Sequence, residues 1–457
     1  MLSAQDNELM CRVGPGTPMG KLMREYWIPA LLPSELPIPD GHPLRLRLLG
    51  EDLIAFRVTS GKVGITENCC PHRGTSLFFG RNEEEGLRCV YHGWKFDVTG
   101  QCVDMPSEPP HSNFKAKVKA RNYPCVERNG LIWTYMGERS SPPPLPDLAP
   151  NLSPQCITWK RLQESNYMQG LEGDIDTVHQ TFLHAGHVKP EDTLKGSQDY
   201  YTTSQRWIDI EVRDLEIGAS YAGIRPVPDE DSTYWRIGHF AAPFYTFNVP
   251  GILGRKNSCI AWVPVDDENT MVTNITVPIS PDPTLAGIGG IMQGIQRPTP
   301  LGKNDPYGSR VPGQIGNLAR QYASDTSDWN GRFRPLANRG NDYFIDRDLQ
   351  SSMGTWSGVP VIAQDPMAQE SMGAIYDRRR ERLGTTDTML IRTRRFLINA
   401  AKALSDQGAI PAGVDKPELY NMYSGGAILP NSVNGLDATH DVQFPRAQTI
   451  EVQTPGS

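Results

Sequence analysis

At 457 residues, with 38% hydrophobic and 21% charged side chains, the chain has the make-up of a folded protein of two or three domains, and dominant disorder is excluded. A formal charge of -7 argues against nucleic acid or an anionic membrane surface as the main partner. There is no apolar run of about 18 residues, no signal-peptide core and no dense cysteine framework, so the sequence predicts a cytoplasmic protein with neither a membrane span nor a disulfide scaffold.

Thr17 is a candidate N-cap, Pro18 suits the first helical position, and Met19, Leu22, Met23 and Tyr26 recur at helical spacing. Residues 1–37 are therefore expected to be a helical segment packed on a larger domain. From His42 the period becomes two. Leu44, Leu46 and Leu48 alternate with Arg45 and Arg47, while Gly50-Glu51-Asp52, Ser60-Gly61-Lys62, Thr99-Gly100 and Asn129-Gly130 read as turns. Residues 38–140 are read as a small all-β unit, left through the run Ser141-Pro142-Pro143-Pro144-Leu145-Pro146.

Within that unit Cys70-Pro71-His72 is followed, after 16 residues, by Cys89-Val90-Tyr91-His92. Each loop offers one thiolate and one imidazole. A Cys₂His₂ zinc site is the alternative, but such sites usually open with a closely spaced cysteine pair. One cysteine and one histidine per loop suit a [2Fe-2S] cluster with two thiolates on one iron and two imidazoles on the other. Cys69 stands outside the C-x-H spacing.

The stretch from Glu172 to His184 holds two histidines and three carboxylates. Asp176 and His179 would share a helix face. His179 and His184 are about 140° apart on a regular helix, so two ligands there require the helix to widen, as in a π-type bulge, or to break. An ordinary amphipathic helix with satisfied histidines is the other reading.

Residues 200–275 alternate strand-like runs, around Arg236, Tyr245 and Ala261, with turns, and are read as a pocket-forming sheet. The stretch 279–340 is expected to be a lid or subunit-contact insertion. The cluster Arg378-Arg379-Arg380-Glu381-Arg382 is read as a solvated face. A helix is predicted from Thr386, and residues 405–457 are expected to form an extended tail draped over the surface.

Cys70-Pro71-His72-Arg73-Gly74, taken with Cys89-Val90-Tyr91-His92-Gly93-Trp94-Lys95-Phe96-Asp97, resembles the cluster signature of the Rieske non-haem iron ring-hydroxylating oxygenases, α subunit. The resemblance implies an α+β protein: an all-β Rieske [2Fe-2S] domain holding its cluster through Cys70, His72, Cys89 and His92, then a catalytic domain over 141–457 with an antiparallel sheet flanked by helices. It implies a mononuclear Fe(II) bound through a D-x-x-H-x-x-x-x-H motif, matched by Asp176, His179 and His184, with His187 the less favoured histidine. The third ligand is implied in Ala363-Gln364-Asp365-Pro366-Met367-Ala368-Gln369-Glu370, with Asp365 preferred and Glu370 the fallback. Two histidines and one carboxylate leave positions open for O₂ and substrate. Asp176 is implied to bridge His92 of one copy and His179 of the next, which requires a ring, a homotrimer or stacked hexamer.

Val13-Gly14-Pro15-Gly16-Thr17-Pro18-Met19-Gly20, the lead-in Leu171-Glu172-Gly173-Asp174-Ile175-Asp176 and Glu370-Ser371-Met372-Gly373 are similar to the phthalate 4,5-dioxygenase-like branch. That likeness implies an aromatic acid substrate and an NAD(P)H-dependent reductase of flavin or ferredoxin type. It also implies a cation in the pocket, for which Arg206, Arg213, Arg225 and Arg236 are candidates, and Gln180 marks a substrate other than phthalate. The expected reaction is cis-dihydroxylation, with O-demethylation of a methoxylated aromatic acid as the alternative. A Rieske electron carrier without catalysis is the reading from another class.

Overall fold

Thr17 caps its helix as expected, its Oγ1 accepting from the Gly20 N–H at 3.1 Å. The computed structural model describes residues 2–193, 195–249, 251–255, 257–277, 318–352 and 356–445. Helices α1 (Ala4–Cys11) and α2 (Pro18–Arg24) open the chain, but the first 37 residues are not helical throughout: β1 (Trp27–Leu31) follows, buried along its whole length.

Next come β2 (Leu44–Leu48), β3 (Glu51–Arg57), β4 (Val63–Glu67), β5 (Arg81–Glu83), β6 (Gly86–Arg88), β7 (Lys95–Phe96), β8 (Cys102–Asp104), β9 (Asn122–Tyr123), β10 (Cys125–Arg128) and β11 (Leu131–Tyr135). They form two four-stranded sheets, β2-β3-β4-β9 and β5-β6-β7-β8, and with the N-terminal strand a third, β1-β11-β10. Trp27 pairs with Tyr135, so the N-terminal segment is stitched to the β unit. Ile54, Phe56, Leu87, Trp94 and Phe96 give the cluster-loop region a core of its own.

The second half is built on an antiparallel sheet. After β12 (Ile157–Gln163) come α3 (Tyr167–Ile175) and α4 (Gln198–Ser204), then β13 (Asp209–Leu215), β14 (Gly218–Pro226), β15 (Ser232–Ala241), β16 (Tyr245–Phe247), β17 (Asn257–Pro264) and β18 (Thr270–Val277). Helices α5 (Arg347–Ser351), α6 (Val361–Glu370) and α7 (Thr388–Gln407) lead to a last strand, β19 (Gly425–Pro430). The order is β12-β18-β17-β16-β15-β14-β13, with β19 pairing β15 alongside the short β16. Helix α3 lies across this sheet and meets α6; α1, α2 and α7 pack together, with α7 against β13, β14 and α3. The fold is α+β.

Two further expectations need correction. Residues 405–445 are not a draped tail, because Ile237 pairs with Gly425 and Trp235 with Ala427, inserting β19 into the main sheet. Side chains at Gly425 and Gly426 would collide with Leu253 and Tyr234. Arg378 is not on a solvated face: it is fully buried and ion-paired to Glu172 at 3.0 Å. Of the stretch 279–340, residues 279–317 lie outside the described residues. The remainder reaches the β unit, where Arg332 pairs with Glu35 and Trp329 lies 5.6 Å from the Arg45 guanidinium.

Candidate active site and cluster loops

The two cysteine loops repeat one local design. Cys70 N–H donates to Thr75 O and Gly74 N–H to Cys70 O, at 2.8 and 2.9 Å. Cys89 N–H donates to Trp94 O and Gly93 N–H to Cys89 O, at 2.8 and 3.0 Å. Each turn is closed by a glycine at positive φ, +78° at Gly74 and +77° at Gly93, which a side chain would strain. Both cysteines are buried, and burial pushes the Cys70 thiol up to about 12, with Cys89 beside it adding to the effect. The His72 and His92 rings meet edge to face at 4.4 Å, and His72 stacks on Trp94 at 4.1 Å.

At the second site the chain leaves the helix earlier than the sequence suggested. Helix α3 stops at Ile175, and Asp176 is extended (φ -80°, ψ 113°) with its Oδ1 accepting from the Val178 N–H at 2.7 Å. No π-bulge forms. His179 begins a 3₁₀ turn, and the break swings His184 back until its Nε2 is 3.2 Å from His179 Nε2.

Asp365, on α6, completes the triangle: its Oδ1 is 3.4 Å from His184 Nε2 and 3.6 Å from His179 Nε2. Gly173 permits this approach, since a Cβ there would sit 2.2 Å from the Gln369 amide on α6. Burial opposes ionisation of the Asp365 carboxyl, but His184 and His179 beside it hold it down at about 2. Edges of 3.2 to 3.6 Å suit three ligands each about 2.1 Å from one ion. Among the described residues this is the one group of three or more potential ligands whose donor atoms converge.

A model of the Rieske [2Fe-2S] domain matches residues 26–124, and one described as LigXa C-terminal domain like matches 134–282 and 318–453. The 3-chlorobenzoate-3,4-dioxygenase oxygenase subunit of Comamonas testosteroni is 43% identical, over 95% of this chain and 97% of that one. The phthalate 4,5-dioxygenase oxygenase subunit of Pseudomonas putida is 35% identical, over 90% and 89%. The chain belongs to the Rieske oxygenase α subunits. The 5,5'-dehydrodivanillate O-demethylase oxygenase subunit of Sphingobium sp. (strain NBRC 103272 / SYK-6) is 30% identical, over 92% and 85%. The fold is also that of dicamba monooxygenase, with a TM-score of 0.53 at 17% identity over 85% of this chain and 100% of that one.

As a Rieske oxygenase α subunit the chain is an oxygenase component that carries a [2Fe-2S] cluster and a mononuclear iron. Its residues fit both. The donors of the cysteine loops do not converge on a single point as a zinc site requires; the two thiols face each other and the two imidazoles face each other. His72 Nδ1 is buried without a partner. At the other site the triangle offers one carboxylate and two imidazoles, the set associated with non-haem Fe(II).

The other candidates lie elsewhere. His187 faces Trp356, and Glu370 is engaged by the Tyr343 hydroxyl at 2.5 Å and the Glu164 N–H at 3.0 Å. Asp176 Oδ2 is 3.6 Å from His179 Nδ1, which is buried and otherwise unpartnered. Gln180 lines the cavity of about 310 Å³ beside the triangle. None of the four candidate arginines lines it. Arg213 is tied to Glu211, Asp437 and Asn434 at the surface, and Arg206 braces the histidine loop through the Thr181 and Gly186 carbonyls. Arg225 and Arg236 are buried with no carboxylate partner among the described residues; Arg236 donates to Thr177 Oγ1 at 3.1 Å.

Sequence reasoning missed the cavity's own charged groups. Arg161 lines it from β12, and Asp174 from α3, where it accepts from Thr246 Oγ1 and from Asn248 Nδ2 at 3.1 Å. Period-two alternation of Trp159, Arg161 and Gln163 was the signal for Arg161.

Proposed function

We propose that this chain hydroxylates an aromatic carboxylate at an iron held by His179, His184 and Asp365, by phthalate-like cis-dihydroxylation. The observation that carries the reading is the cavity beside the triangle, about 310 Å³ with Trp159, Ile260, Trp262, Val272 and Ile362 among its walls. That volume and lining suit a single aromatic ring. When bound, the iron supplies the site of O₂ activation, and the cluster at Cys70, His72, Cys89 and His92 supplies its electrons, delivered by an NAD(P)H-dependent reductase of flavin or ferredoxin type.

The chain's own residues orient and exclude. Arg161, the arginine among the cavity walls, with its Nη1 buried and unpartnered, is the cation placed to receive the substrate carboxylate. Trp159 and Trp262 sandwich the ring and keep water out. The Asp176 carboxylate faces His179 Nδ1 at 3.6 Å and keeps part of itself open to solvent, 29% of the side chain, where His92 of a neighbouring copy can reach it. Exposed Tyr91 and Val90 beside one histidine pair and exposed Phe182 and Trp356 beside the other give that contact apolar flanks. Head-to-tail contact of this kind closes as a homotrimer, and stacked trimers give a hexamer.

The relative that is an O-demethylase oxygenase subunit favours a second reading, removal of a methyl group from a methoxylated aromatic acid. The test is substrate-dependent O₂ uptake with a surrogate reductase over benzoates, phthalates and methoxybenzoates, with products analysed under labelled O₂. Two labelled oxygens in the ring product establish dihydroxylation, and formaldehyde with a phenol establishes demethylation. O₂ uptake indifferent to every aromatic acid overturns both.

A further inference from the structure

A second cavity, of about 630 Å³, lies between α7, the start of α1 and the segment Glu381–Leu383, and it shares no lining residue with the cavity at the His179–His184–Asp365 triangle. Its volume is in the range of ligand-binding clefts. Helix α7 supplies one side of it. Ile391, Arg395 and Asn399 stand one turn apart along the helix, with Ile398 and Lys402 one turn apart beside them, so a single stripe of α7 faces the space. Leu2 and Leu383 complete an aliphatic lining with Ile391 and Ile398, and no aromatic ring takes part in it.

The charges around this cavity are unequal. Arg382, Arg394, Arg395 and Lys402 line it against Asp6 and Glu381, on a chain whose net charge is -7. Both carboxylates are already engaged. Asp6 Oδ1 accepts from Lys402 Nζ at 2.7 Å, and Glu381 Oε2 accepts from Arg394 Nη2 at 3.0 Å. Arg394 is also held by Glu172 at 2.7 Å, so it forms a fixed floor whose charge is matched. Arg395 is placed differently. It is exposed, and among the described residues neither it nor Asn399 has a hydrogen-bond or ion-pair partner. A guanidinium and a side-chain amide one helical turn apart can both donate to a single carboxylate.

We propose that this cavity is a binding site for a medium-chain aliphatic carboxylate, separate from the cavity at the triangle. The acid group takes the open donors of Arg395 and Asn399, and the hydrocarbon chain lies against Leu2, Leu383, Ile391 and Ile398. The two cavities sort acids by their walls. Trp159 and Trp262 at the triangle suit a ring, whereas the aliphatic walls here suit a flexible chain.

Calorimetric titration of the resting holoenzyme with octanoate, hexanoate, octan-1-ol and benzoate tests this without turnover. Octanoate is expected to bind once per chain. Hexanoate, with two fewer CH₂ groups to bury, is expected to bind about 10-fold more weakly, and octan-1-ol, which lacks the charge, at least about 10-fold more weakly. Arg395→Gln, at an exposed position, is expected to weaken octanoate by about 10-fold or more and to leave benzoate within about twofold, with Arg395→Lys recovering part of the loss. Arg161→Gln is expected to leave octanoate within about twofold, because Arg161 lines only the other space. Octanoate that does not bind, that binds no more tightly than octan-1-ol, or whose affinity is unchanged in Arg395→Gln overturns the proposal. So does octanoate binding that is lost in Arg161→Gln, which would place the acid in the cavity at the triangle.

Discussion

His184 Nδ1 lies 2.7 Å from the side-chain oxygen of Gln364, the residue immediately before Asp365. The Gln364 amide cannot turn, because its Nε2 donates to Ser357 Oγ at 3.0 Å and to Val359 O at 3.1 Å. Its oxygen must therefore face His184, which fixes the proton on Nδ1 and leaves Nε2 with a free lone pair toward the triangle. Helix α6 thus supplies one corner of the site and sets the tautomer of another.

Gln364→Leu should accordingly weaken iron retention by about 10- to 100-fold, the usual effect of losing such a partner. Iron loss to a chelator over time is the measurement, with the cluster's EPR signal as an internal standard that should not change. Gln364→Glu keeps the acceptor and should retain most of the iron. Equal retention by all three proteins would show that the bond does not matter.

Asp365→Ala should lower bound iron from about three atoms per chain to two while preserving the cluster spectrum. Glu370→Ala should keep all three, since Glu370 is occupied by Tyr343 and Glu164. Metal analysis showing the reverse would move the third ligand to Glu370.

How much of this was legible beforehand divides along a physical line. The cysteine loops are local, so spacing carried them, whereas the histidine pair stands at an awkward spacing for a regular helix and only the likeness to a family made it a ligand pair. Asp365 and His184 are 181 residues apart in sequence, and only the likeness to a family reached across that gap. The direction of Arg161 was hidden because a half-buried edge strand with Lys160 and Arg161 side by side reads as solvated. Lys160 points the opposite way, buried against the Ala30 carbonyl at 2.6 Å and Glu35 at 2.9 Å. The strand at 425–430 was masked by the glycines that let it insert, because glycine reads as loop.

Asp176→Asn should leave the cluster's EPR signal and the bound iron intact and reduce turnover by at least about 100-fold, more than a lost hydrogen bond to one imidazole would cost. Asparagine is isosteric but puts an NH₂ donor where the carboxylate has its second oxygen, so of the two imidazole N–H groups, that of His179 and that of a neighbouring copy's histidine, one meets a donor. Single-turnover reduction of the iron site by pre-reduced cluster separates the two effects. Normal turnover in the variant would remove Asp176 from the subunit contact.

Glu172 ties the N-terminal helices to the active-site helix. It receives Arg378 at 3.0 Å and Arg394 at 2.7 Å, both buried, and Arg394 also holds Glu381, while Arg378 reaches Asn7 and Cys11 on α1. Burial works against the Glu172 carboxylate, but the two guanidinium groups outweigh it and hold its pKa below the usual range. Glu172→Ala leaves buried Arg378 without an anion and Arg394 with Glu381 alone, and should cost about 3–5 kcal/mol, read from denaturant unfolding. Because α3 carries Asp174 and leads into Asp176, the same variant should also lose iron. A stability change under about 1 kcal/mol would mean that water replaces the carboxylate.

His239 gives a stability prediction with a definite pH window. It is fully buried on β15, its Nδ1 2.8 Å from Ser220 Oγ and its Nε2 2.9 Å from Tyr423 O, and burial lowers its pKa to about 4. An unfolded chain holds this proton near pH 6.5, so the neutral ring contributes its full stability above that value. As pH falls the unfolded state takes up the proton first, and stability drains away between pH 6.5 and the folded pKa of about 4. The loss amounts to about 3 kcal/mol for a shift of this size. Thermal unfolding from pH 7 to 4.5 should therefore show a steeper fall for the wild type than for His239→Gln, which cannot titrate. Parallel curves would mean that the ring enters the folded state already protonated, with Ser220 and Tyr423 both accepting from it.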